Sequence, residues 1–293
     1  MPYKMKKPHV KSALSGTLMM LPSLCGVAVF VVFPFLRATY YSFTSGMENG
    51  AFVGFSNYIR LFQSASFLTA LQNTLRFYFI AFPLIMVLPL ICAVVLAPHK
   101  RLSKLFDSAV YGSLLIPGAT LLIFLDLLFS ERGFLTDAIV KILDFSGNSL
   151  YETPFSFVIL VLLYLFKYGG YNYLLYSVSV SKIPKEFYEE AKINGASKWQ
   201  MFRYVTLPNI LPMVGISAFV SLISSYKVYR EAFLIGGYYP HKDIYLMQHF
   251  INNNFVNMNY NRLCCVAVFM VLALGVFFAL IYGGIILWRR RKR

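Results

Sequence analysis

The chain of 293 residues is 58% hydrophobic and 13% charged, where a soluble domain carries about 25% charge. Its net charge of +15 would suit nucleic acid, but the basic residues sit between and beyond long apolar runs. That is a pattern of membrane topology and argues against a nucleic-acid binder.

A helix crosses the hydrocarbon core in about 20 apolar residues, and six stretches qualify. The first runs from Ala13 to Leu36. Lys4, Lys6, Lys7 and Lys11 precede it, as in a signal peptide. Its apolar run exceeds the usual roughly 7–15-residue signal core and no A-x-A cleavage site follows, so it reads as a retained signal-anchor. The second runs from Thr74 to Ala97 and the third from Ser108 to Phe129. The fourth, from Pro154 to Val180, contains Lys167 and the pair Gly169-Gly170, which predicts a kink. The fifth runs from Asn209 to Val228 and the sixth from Leu263 to Trp288. Cys25, Cys92, Cys264 and Cys265 lie inside or at the start of these runs. No CxxC occurs, and His9, His99, His241 and His249 lack zinc-ligand spacing, so the cysteines read as small apolar residues of membrane helices and no metal site is expected.

Basic residues fix the expected orientation. The N-terminus, the loop at Lys100-Arg101-Lys104, the loop 181–207 and the tail Arg289–Arg293 hold about 17 of the 27 Lys and Arg, whereas the three alternate loops hold about six. The positive-inside rule puts both termini and the 181–207 loop in the cytoplasm. The expected organisation is an all-α membrane protein: a cytoplasmic N-terminus over 1–12, six transmembrane helices over 13–288 and a basic cytoplasmic tail over 289–293.

The loop from Ile183 to Pro208 carries the most information. Pro184 suits the first turn of a helix, and Glu186, Glu189 and Glu190 follow near the positive dipole end. Asn194-Gly195 supplies a left-handed stop. Ser197 and Gln200 form an S-x-x-Q capping box that starts a second helix. Trp199, Phe202 and Val205 recur at i, i+3 and i+6, which predicts one apolar face, and Pro208 is expected to end that helix and open the fifth span. By itself such a loop could equally be an amphipathic helix on the membrane surface.

Glu189-Glu190-Ala191, three residues, Gly195, nine residues, then Val205-Thr206-Leu207-Pro208 resembles the cytoplasmic signature of permeases in binding-protein-dependent ABC importers. Glu190 replaces the usual first Ala of the motif, and Val205 replaces Ile. The segments Val53-Gly-Phe-Ser-Asn-Tyr58, Ala70-Leu-Gln-Asn-Thr-Leu75 and Gly236-Gly-Tyr-Tyr-Pro240 resemble the sugar-importing branch, of maltose and glycerol-3-phosphate type. The resemblance implies a type I importer fold in a prokaryotic cell membrane. It implies that Glu186, Glu189, Glu190, Ala191, Gly195, Trp199, Leu207 and Pro208 couple to an ATPase. The implied partners are a second permease, two ATP-binding subunits, an extracytoplasmic solute-binding protein and a carbohydrate. The chain would not itself be an enzyme and would hold no cofactor: it has no G-x-x-x-x-G-K-[ST], and ATP and Mg would be bound by the partner ATPases.

Intramembrane polar residues point to interior faces or wet paths. Tyr164, Lys167, Tyr168 and Tyr171 share one helical face, and Ser217, Ser221, Ser224 and Ser225 recur at helical spacing in the fifth span. Tyr164, Lys167, Tyr168, Tyr171, Ser221, Ser224 and Ser225 are the candidate solute-path residues, since aromatic faces and polar donors suit a sugar. Helix packing, interface anchoring or a polar partner for Lys167 on a neighbouring helix would explain the same residues. Asp126 and Lys227 read as snorkelling residues near span ends. Competing readings are a stand-alone secondary transporter, a permease for a non-sugar solute, a membrane-embedded enzyme and a scaffold. The first would need coupling-ion ligands and often repeats. The enzyme would need a catalytic constellation such as HExxH.

Overall fold

A computed structural model describes residues 10–47, 50–116, 118–130, 133–136, 151 and 153–291. Most of the expected N-terminal segment and the end of the basic tail lie outside the described residues. In chain order the helices are α1 (Val10–Val27), α2 (Phe33–Ser42), α3 (Ser56–Phe62), α4 (Ala65–Leu96), α5 (Lys100–Leu115), α6 (Gly118–Phe129) and α7 (Phe155–Ser181). There follow α8 (Lys185–Ile193), α9 (Lys198–Met201), α10 (Leu207–Lys227), α11 (Tyr229–Gly236), α12 (Met247–Val256) and α13 (Tyr260–Arg291). The regular structure of the described residues is helical; Thr44 and Phe52 form an isolated β-bridge.

Four helical runs among the described residues are long and apolar enough to cross a bilayer: Leu18–Ser42, Ala65–Leu96, Phe155–Ser181 and Lys198–Gly236. They take in the first, second, fourth and fifth expected spans. Many of their large apolar side chains, Met19, Phe30 and Phe79 among them, face outward. That arrangement suits a lipid solvent, in which backbone groups must pair within the helix. The sixth expected span falls in α13, whose apolar stretch of described side chains is Tyr260–Val276.

The third expected span, Ser108–Phe129, is not one helix. It is divided between α5 and α6, with Ile116 extended at φ −67°, ψ 119°. Ile116 precedes Pro117, and the proline ring disfavours helical geometry in the residue before it. At Gly169-Gly170, α7 continues through both glycines as one helix. Gly170 admits a close neighbour: a Cβ there would lie 2.8 Å from Val110 Cγ1 of α5.

Pro208 does not end a helix either. A π-turn over Phe202–Thr206 links α9 to α10, with the Leu207 N–H donating to the Phe202 carbonyl. The wider turn shifts the hydrogen-bond register just before a residue that has no N–H to donate. The Asn209 amide then donates to the Val205 carbonyl at 2.7 Å. The same device recurs at Ala28–Val32, a π-turn followed at the start of α2 by Pro34.

The chain forms two compact units, residues 1–65 with 253–293, and residues 66–252. In the first, α13 packs on α2 and α3. Two asparagines satisfy the carbonyls where α2 ends: Asn57 donates to Ser42 (3.0 Å) and Thr44 (2.8 Å), and Asn261 to Tyr41 (3.2 Å) and Thr44 (2.7 Å). Tyr58 Oη donates to the buried Ser42 hydroxyl at 2.8 Å.

In the second unit, α7 is the central helix and packs on α5 and α10. Its core joins Phe77, Ile85, Leu160, Tyr164, Val228 and Ile244. The turn before α12 is held by Asn73, whose amide donates to the carbonyls of Lys242 and Tyr245. His249 of α12 is fully buried, its ring 4.7 Å edge-on from Tyr229, and its Nδ1 accepts from the Leu246 N–H at 3.1 Å. Burial lowers its pKa from 6.5 to about 4.

Candidate functional site

The expected helix pair is present. Pro184, at φ −56° and ψ 138°, stands at the N-cap of α8, one position before its first turn. Glu186 lies in that turn, at the positive end of the helix dipole. The helix ends in a glycine cap: the Gly195 N–H donates to the Lys192 carbonyl and the Ala196 N–H to the Ala191 carbonyl, each at 2.9 Å. Gly195 has φ +74°, a conformation glycine adopts without Cβ strain. Ser197 and Gln200 form the reciprocal capping box, with bonds of 3.3 and 2.7 Å.

Tyr188 and Thr206 fix the base of the pair by a hydroxyl–hydroxyl bond of 2.9 Å. Val205 packs beside Val180, Ile183 and Ile210. Outward stand Glu186, Glu189, Glu190, Gly195, Trp199 and Pro208, all exposed, whereas Ala191 and Leu207 are half-buried. The single apolar face expected for Trp199, Phe202 and Val205 is split, since Trp199 is exposed and Val205 turns inward. The extra residue of the π-turn takes i+6 off the i, i+3 face. Ile193, 86% exposed, belongs to this surface and has no signal in the motif. An apolar side chain in the last turn before the glycine is its sequence trace.

The second constellation lies between α5, α7 and α10. A cavity of about 300 Å³ opens where α5 ends, bordered there by Ser113, Leu114 and Ile116. Five of the seven expected path residues line it: Lys167, Tyr168, Tyr171, Ser221 and Ser224. Tyr164 and Ser225 are placed elsewhere. Tyr164 is 1% exposed, packs edge-on to Phe77 at 5.3 Å, and its hydroxyl donates to the Ser221 carbonyl at 2.8 Å. Ser225 donates back to the Leu222 carbonyl of its own helix.

The cavity wall is braced by Asn172, Tyr176 and Glu231, which lie outside the expected path set, together with Ser217 of the expected serine row. Asn172 donates from one amide nitrogen to the Ile85 carbonyl (3.0 Å) and the Ser221 hydroxyl (2.7 Å), joining α4, α7 and α10. Below it, Tyr176 and Ser217 share a hydroxyl–hydroxyl bond of 2.7 Å. Lys167 forms an ion pair with Glu231 of α11, and its ammonium lies 5.5 Å from the Tyr168 ring centre. An amide inside an apolar helix and an acid just past a span are both signals of an interior polar path. Their partners cannot be read from spacing. Among the described residues, no group of three or more His, Cys, Asp or Glu is placed to hold a metal ion.

Long apolar helices braced by interior polar side chains, with an exposed helix pair beyond them, mark a multi-pass membrane protein. Residues 85–291 match the family described as the binding-protein-dependent transport system inner membrane component, and the chain belongs to that family. It is 27% identical over 229 residues to the lactose transport system permease protein LacF of Rhizobium radiobacter, covering 75% of each chain. To the sn-glycerol-3-phosphate transport system permease protein UgpA of Yersinia pestis bv. Antiqua it is 28% identical over 245 residues, covering 74% of this chain and 82% of that protein. Its fold is shared with a chain in the crystal structure of a bacterial ABC transporter involved in the import of the acidic polysaccharide alginate. There the TM-score is 0.72 at 21% identity, over 93% of this chain and 96% of the other.

Proposed function

We propose that the chain is the membrane-spanning permease subunit of an ATP-driven carbohydrate importer of a prokaryotic cell membrane, with six spans and both termini cytoplasmic. The observation that carries this reading is the α8–α9 pair. It is capped at both sides of a glycine turn, anchored at its base through Tyr188 and Thr206, and presents Glu189, Ile193 and Trp199 outward. Such a pair suits a groove on a cytoplasmic ATPase, and closure of two ATPases would pull on it. The π-turn joins the pair to α10 without a break in the helix, so displacement of the pair is delivered to the wall of the cavity. A second permease completes the path, a solute-binding protein delivers the sugar, and ATP and Mg are bound by the ATPases.

Relatives named for sugar transport support the solute class, and the cavity's ring and hydroxyl lining agrees with it. Co-purification tests the assembly: the tagged chain is expected to bring down an ATP-binding subunit and a second permease. Recovery of the intact chain alone, from cells that also make an ATP-binding subunit and a second permease, refutes it. Cysteine labelling tests the topology: a Cys in place of Gly50, Gly147 or His241 is expected to react from outside, and one in place of Trp199 only after permeabilisation; of these, Gly147 lies outside the described residues.

A further inference from the structure

We infer that the cavity between α5, α7 and α10 is a charge-cancelled saccharide subsite, in which Glu231 neutralises Lys167 so that an uncharged sugar is accepted and a uronate or phosphorylated sugar is refused. This rests on the carbohydrate reading above and adds the class of sugar. The relatives' names do not choose, since lactose is neutral whereas glycerol phosphate and alginate are anions.

The lining decides it. Among the described residues that border the cavity, Lys167 carries the only formal charge. Alone it would be an anion site, an ammonium beside a low-dielectric wall. It is not alone, because its Nζ is paired with Glu231 Oε1, and the Glu231 side chain is only 6% exposed. The second oxygen of that carboxylate, Oε2, is buried with no hydrogen-bond partner among the described residues. Its negative charge is therefore spent on Lys167 and on no other donor. An anionic solute drawn to Lys167 would meet that carboxylate directly behind it.

The pair leaves what a neutral sugar needs. An ammonium has three N–H donors, of which Glu231 takes one, so two remain for hydroxyl oxygens. Tyr171 is 41% exposed and lends a ring face to sugar C–H groups, and Ser221 and Ser224 add hydroxyls. Glu231 is thus a positioning residue that sets the charge of the site through Lys167.

The test uses the complete transporter, this chain with its permease and ATPase partners, in nanodiscs. Binding of radiolabelled lactose and maltotriose is measured with and without competing trigalacturonate. The wild type is expected to bind at least one neutral probe and to ignore the uronate. Glu231→Gln uncovers the ammonium and is expected to raise trigalacturonate affinity about tenfold, with neutral affinity changed far less. The double variant Lys167→Gln/Glu231→Gln removes both charges at similar size and is expected to return to neutral preference. It decides the matter if the single variant fails to assemble. Uronate binding by the wild type as tight as neutral binding, or an equal gain in the double variant, overturns this inference and leaves the importer reading standing. Binding of no saccharide of either kind overturns the carbohydrate reading itself.

Discussion

The helix pair at 185–206 and the cavity wall of α4, α7 and α10 are both polar features of an apolar protein, yet they are held in opposite ways. The pair is held by neighbours in sequence: Ser197 bonds with Gln200, Gly195 with Lys192, Ala196 with Ala191. The wall is held by bonds that reach across the chain, 87 residues from Asn172 to Ile85 and 64 from Lys167 to Glu231. Local bonds make a stiff part that is nearly free of the core and can be pulled. Distant bonds make a part that keeps its shape while it is pulled.

The largest effect is expected from breaking the pair at its turn. Gly195→Val forces a β-branched residue to φ +74°, while no neighbouring atom crowds the position, so the strain is entirely in the backbone. Uptake is expected to be lost although the chain still inserts, and Glu189→Lys, which reverses an exposed charge, is expected to do the same. Substrate-stimulated ATP hydrolysis by the reconstituted complex is the measurement. Normal stimulation in both variants would remove the coupling role.

Next comes the wall. Asn172→Leu leaves the Ile85 carbonyl and the Ser221 hydroxyl without their donor, at about 1–3 kcal/mol for each group left unsatisfied. Complex yield and thermal midpoint should both fall. Ser221→Val removes the acceptor of the same bond and should behave likewise. Tyr171→Ala makes the contrast, because that side chain is 41% exposed and braces nothing among these bonds. It should shift sugar affinity at unchanged thermal midpoint. A fall in stability equal to that of Ser221→Val would make Tyr171 a packing residue.

What was legible in the sequence follows the same division. A capping box, an Asn-Gly stop and a proline at a helix start are codes a few residues long, and each stands in the structure at or within one residue of its expected place. The clustering of Lys167, Tyr168 and Tyr171 was legible too, because helical spacing alone puts them together. Tyr164 shared that spacing but turns into the core, since a face defined by periodicity does not say what packs on it. The choice of Glu231 for Lys167 had no local trace. The break in the third span did have one: Pro117 follows an apolar run, and the restriction a proline places on the residue before it outweighs hydrophobicity.

Smaller effects are expected where the structure is held by local bonds. His249, buried with its pKa near 4, binds its proton more weakly in the folded chain than the ordinary value of 6.5. The folded state is therefore favoured above about pH 6.5 and loses this advantage as the pH falls toward 4. The thermal midpoint should drop over that interval, and His249→Gln should flatten the drop. The smallest expected effect is that of Ser197→Ala, which removes one cap bond at about 1 kcal/mol. Amide exchange should quicken at Lys198–Met201, with transport little changed.

The pairing of Lys167 with Glu231 also imposes an order on biosynthesis. Ribosomes add about 5–20 residues per second, so the 64 residues between the two take roughly 3 to 13 seconds to make. Throughout that interval the nascent α7 holds a lysine whose counter-ion does not yet exist, at about 2.5–3.5 kcal/mol on insertion scales. Its own apolar run, rich in Leu, Val, Ile and Phe, has to carry it into the bilayer unaided. Only when translation has passed Glu231 does the ammonium gain its partner, so the ion pair records that the chain has been read far enough for the cavity to close around it.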